Sequence, residues 1–136
     1  MGTPLMRQPQ TWTKAEKLKS RKRIEWVFKE GKSLSVFPFK VFYLLVPPAA
    51  PATRAPLQAG FGAGSRHFKK AVDRNRIKRL SREAYRVQKQ PLIDHLAEKG
   101  ISMALFIVYT GKELPDHSTV KAKIGVALQK LIKEIK

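Results

Sequence analysis

The chain contains no cysteine. That one absence excludes disulfides, thiolate zinc centres and cysteine nucleophiles together. Histidine is nearly as scarce. His67, His95 and His117 lie far apart and fit no H-x-x-x-H ligand spacing. Acidic residues are few, ten Asp+Glu in all, and none forms a D-x-D or D-x-x-E set suited to two metals. Asp94-His95 is read as a surface pair, because adjacent helical residues do not face one another. No apolar run approaches the roughly eighteen residues that mark a membrane span. The longest candidates, Val41 to Val46 and Met103 to Tyr109, are strand-length. Residues 1–10 lack the apolar stretch of a signal peptide. A cytoplasmic chain with no membrane partner, no protein-bound metal and no catalytic residue of its own is the expectation.

What is abundant is positive charge. Twenty-eight Lys+Arg against the ten acids give a formal net charge of +18 in 136 residues. A compact body so charged repels itself unless a polyanion neutralises it, and nucleic acid is the first candidate, ahead of an anionic membrane. The 43% hydrophobic share is ordinary and argues for one folded core.

Residues 1–16 are read as a flexible N-terminal arm and 17–136 as a single domain. Thr13-Lys14-Ala15-Glu16 fits a capping box and Ser20 is a second N-cap candidate. Ile24, Val27 and Phe28 at i, i+3, i+4 predict a helix over 21–30, with Gly31 at a left-handed C′ position. Ser35 to Val46 reads as strand broken or bulged at Pro38, with Phe39, Val41, Tyr43 and Leu45 on one face and Lys40, Phe42 and Leu44 on the other. Residues 47–56 form a Pro/Ala loop. A glycine-weakened strand at 57–63 follows, then a long helix over 71–90, a short one at 92–99 restarted by Pro91 and stopped by Gly100, and a buried strand at 101–109. A last amphipathic helix is capped by Asp116 or Ser118. This order implies an α+β or mixed α/β layer.

Ten basic residues crowd positions 66–89, opposed only by Asp73 and Glu83. At roughly 100° per residue from Arg74, the residues Lys78, Arg82, Asn75, Arg86, Arg79 and Arg76 sweep from about 40° to about 200°. Ile77, Leu80, Ala84 and Val87 occupy about 220° to 300° and should face the core. Solvated helix faces usually mix charge signs. A one-sign strip with an amide inside it fits phosphate contact better.

The stretch His67-Phe68-Lys69-Lys70-Ala71-Val72-Asp73-Arg74-Asn75-Arg76-Ile77-Lys78-Arg79-Leu80-Ser81-Arg82-Glu83 resembles the RNR signature of the bacterial ribonuclease P protein family. Leu18 to Gly31 resembles that family's first helix, Phe39 to Leu44 its aromatic strand, Ile101 to Lys112 its last strand and 118–136 its C-terminal helix. The resemblance implies a two-layer α+β sandwich like ribosomal protein S5 domain 2. Its parts would be a roughly four-stranded mixed sheet, three main helices and a left-handed βαβ crossover, a handedness that chain physics disfavours. It implies an accessory subunit of a ribonucleoprotein endonuclease that removes the 5′ leader of precursor tRNA. Catalysis would belong to the RNA, with magnesium at the RNA active site and no cofactor on the protein. Arg74, Asn75, Arg76, Lys78, Arg79 and Arg82 match the catalytic-RNA contacts. Ile24, Phe28 and Phe42, with Lys40 nearby, match the cleft that holds the precursor-tRNA leader. Arg66, Lys69, Lys70 and Arg86 are further basic contacts.

From periodicity alone Phe28 and Phe42 are as well read as core residues. Ile24 stands where the family commonly has an aromatic, and Trp26 is the neighbouring candidate for that platform. Gly60-Phe61-Gly62-Ala63-Gly64-Ser65 also departs from the family, with Ser65 then Arg66 in place of a lysine. It lacks the Gly-Lys-Ser/Thr of a phosphate loop and reads as backbone approaching RNA or another segment closely. Two other readings compete: a ribosomal or RNA-chaperone protein, and a DNA-binding regulator. The second has no visible dimer seam or helix-turn-helix partner, so no DNA partner is expected.

Overall fold

Apolar and β-branched stretches between residues 32 and 109 build a four-stranded sheet. In the computed structural model, which describes residues 17–18, 21–46, 57–64 and 66–135, the strands are β1 (Lys32–Val36), β2 (Phe39–Val46), β3 (Leu57–Ala63) and β4 (Ser102–Tyr109). Their order is β1-β2-β4-β3. β1 and β2 form an antiparallel hairpin, β2 pairs antiparallel with β4, and β3 pairs parallel with β4. A parallel pair requires a long crossover. Here it is helix α2 (Ala71–Arg86) followed by α3 (Gln90–Lys99). With α1 (Arg21–Glu30) and α4 (His117–Glu134), the described residues of this α+β fold hold four helices, three of them preceding β4. The arm at 1–16, with its capping box, Ser20, the Pro/Ala loop at 47–56 and Ser65 lie outside the described residues.

The two faces of the sheet carry different cores. Phe39, Val41 and Tyr43 of β2 join Met103, Leu105 and Ile107 of β4 and Leu57 and Ala59 of β3 in the main core. Ile77, Ala84 and Tyr85 of α2, Leu92 and Leu96 of α3, and Val120, Ile124 and Leu131 of α4 cover it. The opposite face is thinner. There Leu18, Val27 and Ala104 form a small cluster, and Ile24, Phe42, Leu44 and Phe106 pack against it. The expected alternation of β2 is therefore observed, except that Leu45 is exposed near the strand's end.

Several boundaries differ from expectation for identifiable reasons. β1 begins at Lys32, not Ser35, because the hairpin register carries pairing back to Lys32 opposite Tyr43. The break at Pro38 is the hairpin turn itself, with a cis Phe37–Pro38 peptide. Helix α2 stops at Arg86. Gln88 then donates its side-chain amide to the Ala84 and Lys121 carbonyls, and α3 starts at Gln90 with Pro91 in its first turn. Proline is tolerated there because the first-turn N–H groups have no intrahelical partner. Gly31 does not adopt the left-handed conformation; among the described residues only Gly100 does. Gly31 is required by crowding, since a Cβ would collide with the Tyr43 and Val27 carbonyls.

Asp116, not Ser118, caps α4. Its carboxylate accepts from the Thr119 N–H at 3.1 Å. The side-chain and backbone hydrogen bonds of Thr119 hold that carboxyl below its ordinary range. A lowered folded-state pKa means the cap stabilises above the unfolded pKa and is lost as pH falls through the folded one. Asp116→Ala should therefore lower the melting temperature at neutral pH. The gap to the parent should close in acid, as thermal melts across the carboxylate range would record.

Candidate nucleic-acid interface

The basic strip lies on α2, whose other side is fixed by the main core. Asn75, Arg76 and Arg79 are exposed, and Lys78, Arg82 and Arg86 are half-buried. Asn75, Arg76, Arg79 and Arg82 line an open depression of about 400 Å³ together with Val72, which is 73% exposed. Arg86 pairs with Glu83 at 2.7 Å, so its charge is partly answered within the helix. Arg66, Lys69 and Lys70 are exposed just ahead of α2, where the positive end of the helix dipole adds to their field.

Arg74 is half-buried, like Lys78, Arg82 and Arg86, and is also engaged within the protein. Its Nη1 donates to the Phe68 carbonyl at 2.8 Å and the Lys69 carbonyl at 2.7 Å. The helical wheel explains this. Ser81 and Tyr85, both buried, fall about 20° to either side of Arg74, so the core face extends further round than Ile77, Leu80 and Ala84 indicate. Val87, placed on that face from sequence, is 37% exposed because α2 has already ended. Arg74 thus ties the Arg66–Lys70 loop to the start of the strip.

The aromatic residues expected to line a cleft cluster on the other face of the sheet, against α1. The Phe28 ring meets Phe42 edge-on at 4.6 Å between centroids and Phe106 at 5.3 Å. The Lys40 ammonium sits 5.4 Å from the Phe42 ring. Phe28 is 42% exposed and Phe42 half-buried, so neither belongs to the main core. Ile24 packs at the base of the same cluster. Trp26 is exposed beside the Arg23 guanidinium at 5.7 Å, and Arg23 donates to Gln58 at 3.0 Å. An accessible aromatic edge beside a cation suits a single-stranded nucleic acid, which is held by base stacking and phosphate attraction.

Phe106 was not singled out from sequence. β4 is apolar on both faces, so periodicity cannot tell which of its residues line the cleft. Only the register, with Phe42 opposite Phe106 and Gly60 beyond it, puts the ring there. The same register explains the glycine run. A Cβ on Gly60 would lie 2.7 Å from the Phe106 ring and 3.0 Å from the Leu18 carbonyl. Gly60 therefore faces another protein segment at close range. Gly60→Ala should cost about 1 to 3 kcal/mol through overpacking. Gly64→Ala, whose Cβ would meet nothing nearer than 4.0 Å, should be close to neutral. Paired chemical denaturation curves would check the contrast.

Other polar groups are absorbed structurally. His95 Nε2 lies 2.8 Å from the Ile135 carbonyl, and Asp94 accepts from Gln90 at 2.9 Å, so the two adjacent residues form no dyad. Among the described residues no group of three His, Cys, Asp or Glu is placed to hold a metal, and no helix is long and apolar enough to cross a membrane.

The family model for ribonuclease P matches residues 12–132. The chain belongs to the ribonuclease P protein family. A ribonuclease P protein component from Porphyromonas gingivalis is 38% identical over 125 residues, covering 90% of this chain and 89% of that one. A second, from Chlorobium phaeobacteroides, is 31% identical and covers 82% of each. The ribonuclease P protein of Thermotoga maritima superposes with a TM-score of 0.62 at 28% identity, covering 89% of this chain and 98% of that structure. The Staphylococcus aureus protein reaches 0.65 at 18% identity, over 90% of this chain and all of that one, a likeness of fold. The family is an accessory subunit of an RNA-based enzyme that processes tRNA.

Proposed function

We propose that the two surfaces bind two different RNAs within one holoenzyme. The strip of Asn75, Arg76, Lys78, Arg79 and Arg82 would grip phosphates of the ribonuclease P catalytic RNA, with Arg66, Lys69, Lys70 and Arg86 extending the contact. Arg74 would act chiefly by holding the loop before α2. The cleft of Phe28, Phe42 and Lys40, floored by Ile24 and Phe106, would receive the unpaired 5′ leader of precursor tRNA. Its aromatic edges supply stacking platforms and Lys40 supplies the charge for the leader backbone. The observation that carries this reading is the separation of surfaces. The basic strip lies on α2, which packs over one sheet face, and Phe28 of α1 meets Phe42 on the other.

In this reading the protein performs no bond-breaking step. It anchors the leader and neutralises phosphate charge, while magnesium ions at the RNA active site supply the chemistry. The holoenzyme would work in the cytoplasm, with neither membrane nor DNA as partner. RNA-free protein should therefore leave labelled precursor tRNA intact while shifting the catalytic RNA in a native gel. Cleavage that co-purifies with RNA-free protein would overturn the assignment.

A further inference from the structure

The β1–β2 turn and the β4–α4 loop enclose a second open cavity of about 490 Å³ at the end of the sheet, which neither surface above uses. Its walls include Phe37, Pro38, Thr110, Lys112 and Lys123. Phe37 is 75% exposed, so its ring contributes little to the core. The wall behind it is fixed. Thr110 donates both its N–H and its hydroxyl to the Pro38 carbonyl, at 2.7 and 2.9 Å. The Tyr109 hydroxyl donates to the Glu113 carbonyl at 2.6 Å, which holds the loop that carries Lys112. Burial and the nearby Glu113 charge raise the Tyr109 pKa, so it stays a donor.

An accessible ring, a rigid floor and two lysines form the elements that hold an unpaired nucleotide: a stacking face for the base and cations for its phosphate. The volume falls within the roughly 300 to 1,000 Å³ typical of small-ligand sites. Among the described residues that line the cavity Glu113 is the only acid, so the two lysines leave them net positive. Pro38 is also only two residues from Lys40, which places the cavity at the end of the strand that bears the cleft.

We propose that this cavity binds one unpaired RNA nucleotide, stacked on Phe37 with its phosphate between Lys112 and Lys123. The proposal rests on the two-surface reading given above. The nucleotide has two sources, a distal position of the leader or a splayed base of the catalytic RNA, and one experiment distinguishes them.

Phe37→Ala and the double variant Lys112→Ala/Lys123→Ala are assembled as full chains with a bacterial ribonuclease P RNA. Three affinities are measured: for the catalytic RNA, for precursor tRNA with a leader ending inside the cleft, and for precursor with a long leader. Loss of one stacked base should weaken binding by about 5- to 150-fold. A loss confined to the long leader assigns the site to the leader. A loss in assembly assigns it to the catalytic RNA. Folded variants that match the parent in all three affinities overturn the proposal, as does an equal loss for short and long leaders with assembly unchanged. Phe42→Ala runs in parallel. If it also spares long-leader binding, the leader reading has failed; if Phe37→Ala alone is silent, only this site has.

Discussion

Replacing Arg76, Arg79 and Arg82 together by Ala should weaken binding to the catalytic RNA by about a thousandfold or more. Hydrogen bonds to charged groups contribute about 1.5 to 3 kcal/mol each, and about 1.4 kcal/mol is tenfold in affinity. The three residues project from one helix face into one depression, so their losses fall on the same ligand. The mechanism has a second signature. Each phosphate neutralised by the protein releases condensed counterions, so the logarithm of affinity falls linearly with the logarithm of salt. Losing three contacts should flatten that slope by about 2 to 3 units. Arg74→Ala supplies the contrast. Its Nη1 already serves the Phe68 and Lys69 carbonyls, so it should lower the melting temperature and change the slope by less than one contact's worth. Titrations at several salt concentrations measure both effects. An unchanged slope in the triple variant would mean the strip is only a solvated face.

The cleft should respond to a different ligand. Phe28→Ala and Phe42→Ala each remove a stacking platform worth about 1 to 3 kcal/mol per base. The holoenzyme should therefore bind leader-bearing precursor about 5- to 150-fold more weakly. Mature tRNA, which has no leader, should bind as before. Phe28 is the cleaner probe because it is the more exposed ring. Phe42 packs against Phe28 and the cluster beneath α1, and large-to-small changes at fully buried aromatics cost about 3 to 5 kcal/mol. Thermal unfolding must accompany its binding curve. Equal loss for precursor and mature tRNA in a folded Phe42 variant would remove the cleft from the account.

Much of this arrangement was legible in the chain. The strip needs only the helical period, and the strand period alone puts Lys40, Phe42 and Leu44 on one face of β2. What could not be read depends on pairing. Whether Phe42 is core or cleft is decided by the α1 packing, and Phe106 enters only through a register that joins residues 64 positions apart. The link from Arg74 to the loop before α2 is also hidden from the helical period, as is the burial of Ser81 and Tyr85 beside it. A serine and a tyrosine carry weak apolar signals, yet Ser81 buries its hydroxyl by donating to the Ile77 carbonyl at 2.9 Å. The glycine run likewise gave two readings, ligand approach or segment approach. Only the position of the Phe106 ring and the Leu18 carbonyl separates them at Gly60. The cavity at Phe37 had no sequence signature, since its walls come from three separate stretches of chain.

The most direct measurement of the central claim is reconstitution of the separated components. A bacterial ribonuclease P RNA and labelled precursor tRNA are incubated at low magnesium, with the full chain, with the Arg76/Arg79/Arg82 triple variant, or with no protein. The account predicts 5′-leader release with the full chain, strongly reduced release with the triple variant, and little release by the RNA alone. If the full chain leaves cleavage at the level of the RNA alone, or if it cuts equally well without that RNA, the account is contradicted.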